Sequence, residues 1–288
     1  MFTGSIVAMV TPFKDGAVDY DKLGELVDYH VENGTNAIIP CGTTGESPTL
    51  SHTEHGEVIG KVIETANGRI PVIAGTGSNN TSEAISLTRH AKEAGADGSL
   101  LITPYYNKPT QQGLYDHYKA ILEEVDIPII IYNVPSRTGV SISPETVARL
   151  SEFDNIVAIK EATGDIDQAS QILTLCDITV LSGDDSLTLP IMSIGGKGVV
   201  SVLANILPRE VSELTASIAK GDIKNSQKLH RSLFPLCKAM FIETNPIPVK
   251  TAMKLLGRLN GEMRLPLSKM SDKHEEQLKE VLNNHGLA

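Results

Sequence analysis

The sequence predicts an α/β protein, a (β/α)8 TIM barrel with a helical C-terminal extension. Eight short apolar runs rich in β-branched residues recur along the chain, and stretches with helical periodicity separate them. The runs begin at Ser5, Asn36, Ile70, Gly98, Ile127, Asn155, Ile178 and Gly198. Alternating strands and helices indicate a parallel sheet. Because no G-x-G-x-x-G follows the first run, a closed barrel is favoured over an open dinucleotide-binding sheet.

The predicted helices begin at recognisable signals. Ser51 followed by Glu54 has the spacing of a capping box, and Ser143 before Pro144 places a cap and a first-turn proline at another helix start. The clearest periodic stretches are 20–31, 54–66, 84–94 and 114–125.

After the eighth run the pattern contains helices only. We expect the barrel to occupy residues 1–208, with an approximate boundary, and the last barrel helix with the C-terminal helical region to occupy residues 209–288. Turn-like segments at 245–248 and 265–266 interrupt this region. Because no Gly- or Ser-rich linker precedes it, we expect it to pack against the barrel.

Composition argues against several classes of protein. The net charge of -10 over 288 residues disfavours a nucleic-acid partner, because such proteins cluster Lys and Arg against phosphates. The N-terminus lacks signal features, and no apolar run approaches the roughly 18 residues of a membrane span, so a cytoplasmic protein without a membrane partner is expected. Cys41, Cys176 and Cys237 are far apart and lack a C-x-x-C, which indicates neither disulfides nor structural zinc.

Lys160 closes the sixth run, and barrel enzymes place catalytic groups at such strand ends. Side chains on a strand alternate between its two faces. If Ile156 and Ala158 face the barrel interior, Lys160 therefore points inward and Glu161 points outward. An apolar interior favours the neutral amine that attacks a carbonyl. The alternative is a structural lysine paired with a rim carboxylate.

Polar groups at other strand ends suit an anionic substrate. The loop 42–45 precedes a helix, so its N–H groups and threonine hydroxyls can bind a carboxylate, or it is simply a tight turn. Tyr132 and the pair 105–106 have two interpretations, as proton relays or as packing aromatics. Arg137 either binds a second carboxylate through two hydrogen bonds or is a solvated loop residue. The His52 and His55 pair is too weak a signal to predict a metal. No other His-rich or carboxylate-rich cluster lies at the strand ends, which argues against a zinc-dependent aldolase.

Seven motifs at the strand ends and in the C-terminal region resemble the dihydrodipicolinate synthase family of pyruvate-dependent class I aldolases, over nearly the whole chain. They are GTTGE at 42–46, GTG at 75–77, YYN at 105–107, YNVPSRTG at 132–139, IKEATGD at 159–165, SGDD at 182–185 and NPIPVK at 245–250. The resemblance implies a lyase that condenses pyruvate with L-aspartate 4-semialdehyde to 4-hydroxy-tetrahydrodipicolinate, in the diaminopimelate route to lysine. It also implies that the reaction uses neither metal nor organic cofactor.

The same resemblance implies catalytic roles. Lys160 would form a Schiff base with pyruvate, and Tyr132, Thr44 and Tyr106 would form a proton relay. Tyr106 would reach across a subunit interface, since the family is typically homotetrameric.

The binding roles that the resemblance implies concern two carboxylates. Thr43 and Thr44, with the main chain near Gly183 and Val200, would hold the pyruvate-derived part, and Arg137 would bind the carboxylate of the semialdehyde.

The resemblance to lysine-sensitive members implies a second site for L-lysine as an effector. Its residues would be Ser47, His52, His55, Asn79, Glu83 and Tyr105. Glu83 would pair with the ligand's ammonium group, and Tyr105 adjoins the relay residue Tyr106. The alternative is an ordinary polar interface.

Two rival functions stay open at this stage. One is another pyruvate-dependent class I aldolase, such as N-acetylneuraminate lyase, against which Arg137 and Thr44 argue. The other is a barrel that binds a small acid without catalysis, which would be marked by loss of the lysine or the relay residues.

Overall fold

Eight parallel strands form a barrel in the computed structural model, which describes residues 2–287. In chain order the strands are β1 (Gly4–Ala8), β2 (Phe13–Lys14), β3 (Ala17–Val18), β4 (Ala37–Ile39), β5 (Ile73–Gly75), β6 (Gly98–Ile102), β7 (Ile129–Asn133), β8 (Ile156–Glu161), β9 (Thr179–Ser182) and β10 (Gly198–Ser201). The short β2 and β3 pair antiparallel as a separate hairpin. Each predicted run overlaps one barrel strand, so the predicted fold is confirmed.

The barrel closes between β4 and β5. The other neighbours pair in the order β4-β1-β10-β9-β8-β7-β6-β5. Ile38 forms a parallel bridge with Val72, and its N–H donates to the carbonyl of Pro71 at 2.9 Å. The N–H of Gly75 donates to the carbonyl of Pro40 at 3.0 Å. These contacts join the two edges, so the carboxyl ends of all eight strands lie on one rim.

Helices follow the strands. They are α1 (Tyr20–Glu32), α2 (His52–Ala66), α3 (Thr81–Ala94), α4 (Gln111–Glu124), α5 (Pro135–Thr138), α6 (Pro144–Leu150), α7 (Ile166–Leu175), α8 (Thr188–Ser193), α9 (Pro208–Ala219), α10 (Ile223–Ala239), α11 (Ile247–Leu255) and α12 (Asp272–Asn284). The capping box at Ser51 and Glu54 is present, and the Ser143 hydroxyl accepts from the N–H of Thr146 at 3.3 Å. Both predicted helix starts are therefore confirmed.

An apolar cluster fills the barrel interior. Its members include Ile6, Ile39, Ile73, Leu100, Ile130, Ala158, Leu181 and Val200. A second layer of apolar residues lies between the strands and the helices. The inward and outward residues of each barrel strand except β8 thus alternate as parallel barrels require.

A register shift in β8 corrects one step of the sequence argument. Ile129 pairs with Ile156 but Ile130 pairs with Ala158, so one residue of β8 is extra at this point. Ile156 consequently packs in the layer beneath the helices, and the expectation that it faces the interior is wrong. The alternation resumes from Ala158, which turns Lys160 toward the interior.

The C-terminal helices α10, α11 and α12 pack on the barrel. Leu236, Val249 and Leu278 belong to the same buried cluster as Val7 of β1 and Leu203 after β10. This region therefore lies against the strands and loops that carry the rim. Within residues 2–287, no helix is both long and apolar enough to span a membrane.

Candidate active site

Lys160 is a buried amine at the rim of the barrel. Its side chain is on β8, in register with Tyr132 of β7, and the residue is 6% exposed. Nζ lies 4.0 Å from the centroid of the Tyr132 ring. No carboxylate among residues 2–287 forms a salt bridge with Lys160, so the structural ion pair considered as an alternative does not form there. The amine is left to face a cavity.

Glu161, the next residue, points the opposite way. Its carboxylate accepts from the Asn133 amide at 3.1 Å, from the N–H of Thr163 at 2.8 Å and from Gln168 of α7 at 3.4 Å. Burial raises the pKa of this carboxyl group, and the hydrogen bonds oppose that shift. The outward orientation predicted for Glu161 is confirmed.

A cavity of about 210 Å³ opens over Lys160. It is lined by six of the predicted site residues, which come from four different strand ends. They are Thr43, Thr44, Tyr132, Arg137, Lys160 and Gly183. The structure thus brings together an amine, three hydroxyl groups and a guanidinium, a set that suits a small acid carrying a carbonyl group.

Thr44 lies in the tight loop after β4. A Cβ on the adjacent Gly45 would lie 3.0 Å from the backbone nitrogen of Cys41 and 3.1 Å from the carbonyl oxygen of Met9, so the close approach of these segments favours glycine. The Thr44 hydroxyl is buried and accepts from the Asn245 amide nitrogen at 3.0 Å. Its own proton therefore remains available for donation.

Arg137 lies on α5 at the mouth of the cavity. One of its Nη atoms donates to the carbonyl oxygen of Asn245 at 3.1 Å. Arg137 forms no salt bridge within the described part of the chain. The exposed guanidinium therefore keeps several N–H donors for a ligand carboxylate.

Of the two main-chain positions predicted to bind the pyruvate-derived part, Gly183 lines the cavity and Val200 does not. The N–H of Gly183 donates to the carbonyl of Glu161 at 2.7 Å, and a Cβ at this glycine would lie 2.5 Å from that of Ala162. Val200 belongs to the interior cluster, whereas Val202, two residues further on, lines the cavity.

The buried Asp185 holds the main chain after β10 beside the cavity. Its carboxylate accepts from the N–H of Val202 at 2.9 Å and of Leu203 at 3.0 Å. Burial raises the pKa of Asp185, which these hydrogen bonds oppose.

Tyr106 does not line the cavity of its own chain. The residue is 89% exposed, and its backbone has a φ of 71°, in the left-handed region. A large aromatic side chain held out in this way on a strained backbone is available to a second molecule.

A second cavity, of about 400 Å³, adjoins the first. Thr43, Tyr132 and Arg137 line both of them. Five of the residues predicted for an effector site line the second cavity, namely Ser47, His52, His55, Glu83 and Tyr105. The sixth, Asn79, donates from its amide to the carbonyl of Tyr105 at 3.1 Å.

Glu83 and the two histidines differ in their surroundings. His52 Nε2 lies 3.0 Å from Glu83 Oε1, and the Ser78 hydroxyl donates to the other carboxylate oxygen. His55 is buried, its Nε2 lies 2.9 Å from the carbonyl oxygen of Gly75, and burial lowers its pKa. Among the described residues, no group of three or more His, Cys, Asp or Glu is placed to hold a metal ion.

Sequence reasoning missed the roles of Asn245 and Lys250. Asn245 contacts Thr44 and Arg137, and Lys250 forms a buried salt bridge with Glu46, the last residue of the GTTGE loop. Both belong to the NPIPVK motif, which was the one sequence feature that could have indicated a role in the site. Spacing along a helix could not show that this motif reaches a loop 201 residues away.

The chain matches the model of the dihydrodipicolinate synthetase family over residues 1–285. A 4-hydroxy-tetrahydrodipicolinate synthase of Geobacter sp. (strain M21) is 59% identical, with 100% of each chain covered. The crystal structure of dihydrodipicolinate synthase from Aquifex aeolicus superposes with a TM-score of 0.98 at 57% identity, covering 99% of each chain. That of the enzyme from Cyanidioschyzon merolae with lysine bound has a TM-score of 0.97 at 42% identity, covering 100% of this chain and 99% of the other.

Fold and site define a TIM-barrel lyase with a buried lysine in the lining of its cavity. The chain belongs to the dihydrodipicolinate synthetase family. The predicted resemblance, enzyme class and activity are confirmed: the protein condenses pyruvate with L-aspartate 4-semialdehyde to 4-hydroxy-tetrahydrodipicolinate, a step of lysine biosynthesis through diaminopimelate. The family assignment favours this activity over that of N-acetylneuraminate lyase and over a non-catalytic barrel.

Proposed function

We propose that Lys160 is the nucleophile of this condensation. The observation that carries the proposal is a buried amine that faces a cavity and has no carboxylate partner within residues 2–287. The amine attacks the ketone carbon of pyruvate, and loss of water leaves an iminium. The iminium makes the methyl protons acidic, so a base removes one and forms an enamine. The enamine carbon then attacks the aldehyde, and cyclisation through the amino group of the second substrate releases Lys160.

The proton transfers are assigned to Thr44, Tyr132 and Tyr106. Tyr132 is close to the amine, with its ring 4.0 Å from Nζ, and its phenol can give and take a proton at one oxygen. The Thr44 hydroxyl accepts from Asn245 and so has its proton free to donate into the cavity. Tyr106 is assigned to the cavity of a second subunit, which the exposure of its side chain supports.

Two groups of residues bind the carboxylates. Thr43, Thr44 and the main chain near Gly183 and Val200 are assigned to the carboxylate derived from pyruvate. This assignment is supported by Thr43, Thr44 and Gly183, which line the cavity. Val202 lines it in place of Val200. Arg137 is assigned to the semialdehyde carboxylate, because its guanidinium lines the cavity and, among the described residues, uses only one of its N–H donors, on the carbonyl oxygen of Asn245.

Borohydride trapping tests the role of Lys160. Pyruvate and borohydride together are expected to add the reduced pyruvyl group to Lys160, because reduction of the iminium to a secondary amine makes the bond to that nitrogen permanent. Peptide mapping by mass spectrometry locates the adduct. Label on another lysine, including the buried Lys250, would overturn the assignment. An assay with pyruvate and a panel of aldehydes then tests the choice of the second substrate.

The second cavity is assigned to L-lysine as an inhibitory effector. Its lining offers the Glu83 carboxylate for the ligand's ammonium group and His55 for a hydrogen bond. Tyr132 and Arg137 line both cavities, so occupancy of one can disturb the geometry of the other.

The assembly is assigned as a cytoplasmic homotetramer, in which Tyr106 completes the site of a neighbouring subunit. Residues 1–208 are assigned to the catalytic barrel and residues 209–288 to its last helix and the C-terminal helices. The contact of Asn245 with Thr44 indicates that the second region contributes to the site. Sedimentation of the wild type tests the assembly: a monomer with full activity would contradict it.

A further inference from the structure

The segment 245–250 contacts the GTTGE loop at two buried points. The Asn245 amide nitrogen donates to the Thr44 hydroxyl at 3.0 Å. Lys250 Nζ lies 2.5 Å from Glu46 Oε1, and the two side chains are 1% and 0% exposed. The loop that carries the relay hydroxyl is therefore contacted at two residues by one short stretch of the C-terminal region.

The ion pair is fully satisfied by its surroundings. Lys250 Nζ also donates to the carbonyl of Thr11 at 2.9 Å and lies 4.4 Å from the centroid of the Phe13 ring. The second Glu46 oxygen accepts from the backbone N–H of Arg264 at 3.2 Å. The pair consequently joins the loop after β1, the loop after β4 and the C-terminal region in one place.

The backbone at Glu46 needs such support. Its φ is 54°, in the left-handed region, which is unfavourable for a residue with a Cβ. A buried ion pair contributes little net stability compared with well-packed apolar side chains, but separating its partners would leave an uncompensated buried charge. Its main consequence is therefore to fix where this loop lies.

We propose that Lys250 and Glu46 are positioning residues which, together with Asn245, orient the Thr44 hydroxyl so that it donates its proton into the cavity. The proposal rests on the relay role of Thr44 given above. Asn245 acts directly on Thr44, because its amide occupies the acceptor side of the hydroxyl. Lys250 and Glu46 act through the loop, two residues beyond Thr44.

Variants at these positions test the proposal in a double-mutant cycle. Asn245→Ala is expected to lower kcat about tenfold, the value of one hydrogen bond of about 1.4 kcal/mol. Because the residue acts through the Thr44 hydroxyl, the same change should have no further effect in a Thr44→Val background. Effects that multiply in the double variant would overturn the role of Asn245.

The ion pair is tested by the neutral double variant Glu46→Gln/Lys250→Met, which avoids leaving one buried charge alone. This variant is expected to fold and to form the Lys160 adduct with pyruvate, but to have a kcat several-fold below the wild type. In the Thr44→Val background it should leave kcat unchanged. A folded double variant with wild-type kcat would show that the pair supports the fold only.

The controls separate this proposal from the proposed relay. Lys119→Met removes the exposed pair with Glu123, 3.1 Å apart, and should leave both melting temperature and kcat unchanged. Wild-type kcat in Thr44→Val would overturn the relay role and the positioning role together. A slow Thr44→Val with wild-type rates in Asn245→Ala and in the double variant would overturn the positioning role alone.

Discussion

The protein buries two lysines in similar apolar surroundings but gives them different neighbours. Lys160 and Lys250 are 6% and 1% exposed, and each Nζ lies over an aromatic ring, that of Tyr132 at 4.0 Å and that of Phe13 at 4.4 Å. Lys250 Nζ lies 2.5 Å from Glu46 Oε1, and Lys250 lines neither cavity. Lys160 forms no salt bridge in the described part of the chain and lines the cavity.

Burial alone therefore does not identify a nucleophile. A carboxylate beside a buried amine favours the ammonium form, which cannot attack a carbonyl, and it occupies the space that a substrate would need. An amine without a carboxylate beside it leaves that space open to a substrate. The comparison predicts that removing each lysine affects a different property, catalysis for Lys160 and stability for Lys250.

The largest effect is expected from Lys160→Ala. Loss of the covalent intermediate should lower kcat at least about 10³-fold, because no other group takes over the step. The melting temperature should change little, since the shortened side chain opens onto an existing cavity. Steady-state kinetics and thermal unfolding measure the two effects. Substantial residual turnover, or loss of the fold, would contradict the assigned role.

Lys250→Met is expected to have its main effect on stability. It leaves the Glu46 carboxylate buried without its cation, which typically costs about 3–5 kcal/mol of unfolding free energy. Adding Glu46→Gln should recover part of that loss, because the uncompensated charge is gone. Urea unfolding of the wild type and both variants measures this. An unchanged unfolding free energy in Lys250→Met would show that the pair is not energetically coupled to the fold.

Local patterns predicted most of the barrel because each strand and helix carries its own signal. The apolar runs located all eight strands, and the Ser51 and Ser143 caps located two helix starts. The β8 irregularity was not predictable, because an extra residue that shifts the alternation between Ile156 and Ala158 leaves the apolar run looking continuous. Lys160 was nevertheless assigned to the interior correctly, since the alternation resumes before it.

Contacts between distant segments account for the part of the site that the sequence did not reveal. Asn245 reaches Thr44 across 201 residues, and Lys250 reaches Glu46 across 204. Helical periodicity marks α11 as partly apolar but does not say which loop it meets. The role proposed for Tyr106 has the same limit, because it depends on contacts with a second subunit, which the pattern of a single chain does not encode.

A moderate effect is expected from Arg137→Ala. The change removes the charged donor proposed to bind the semialdehyde carboxylate, so KM for that substrate should rise by about tenfold or more, while KM for pyruvate changes less. Arg137→Lys is the matched control: it keeps the charge but cannot form two parallel hydrogen bonds, and its effect should be intermediate. Equal changes for both substrates would place the arginine elsewhere in the reaction.

The smallest effect is expected at the second cavity, where Glu83→Gln should weaken inhibition by L-lysine. The substitution keeps the size of the side chain but removes the charge proposed to pair with the ligand's ammonium group. A hydrogen bond to a charged group contributes about 1.5–3 kcal/mol, so the inhibition constant should rise roughly tenfold or more. Uninhibited kcat should stay near the wild-type value, because Glu83 does not line the cavity over Lys160.

Titration of L-lysine against initial rate measures this shift, and Glu93→Gln serves as the control. Glu93 lies on the same helix, α3, but is exposed and does not line the second cavity, so its variant should be inhibited like the wild type. His52 lies 3.0 Å from Glu83 and can give up that contact when a ligand ammonium binds. If millimolar L-lysine does not slow the wild type, or if inhibition is unchanged in Glu83→Gln, the second cavity is an ordinary polar recess without a regulatory role.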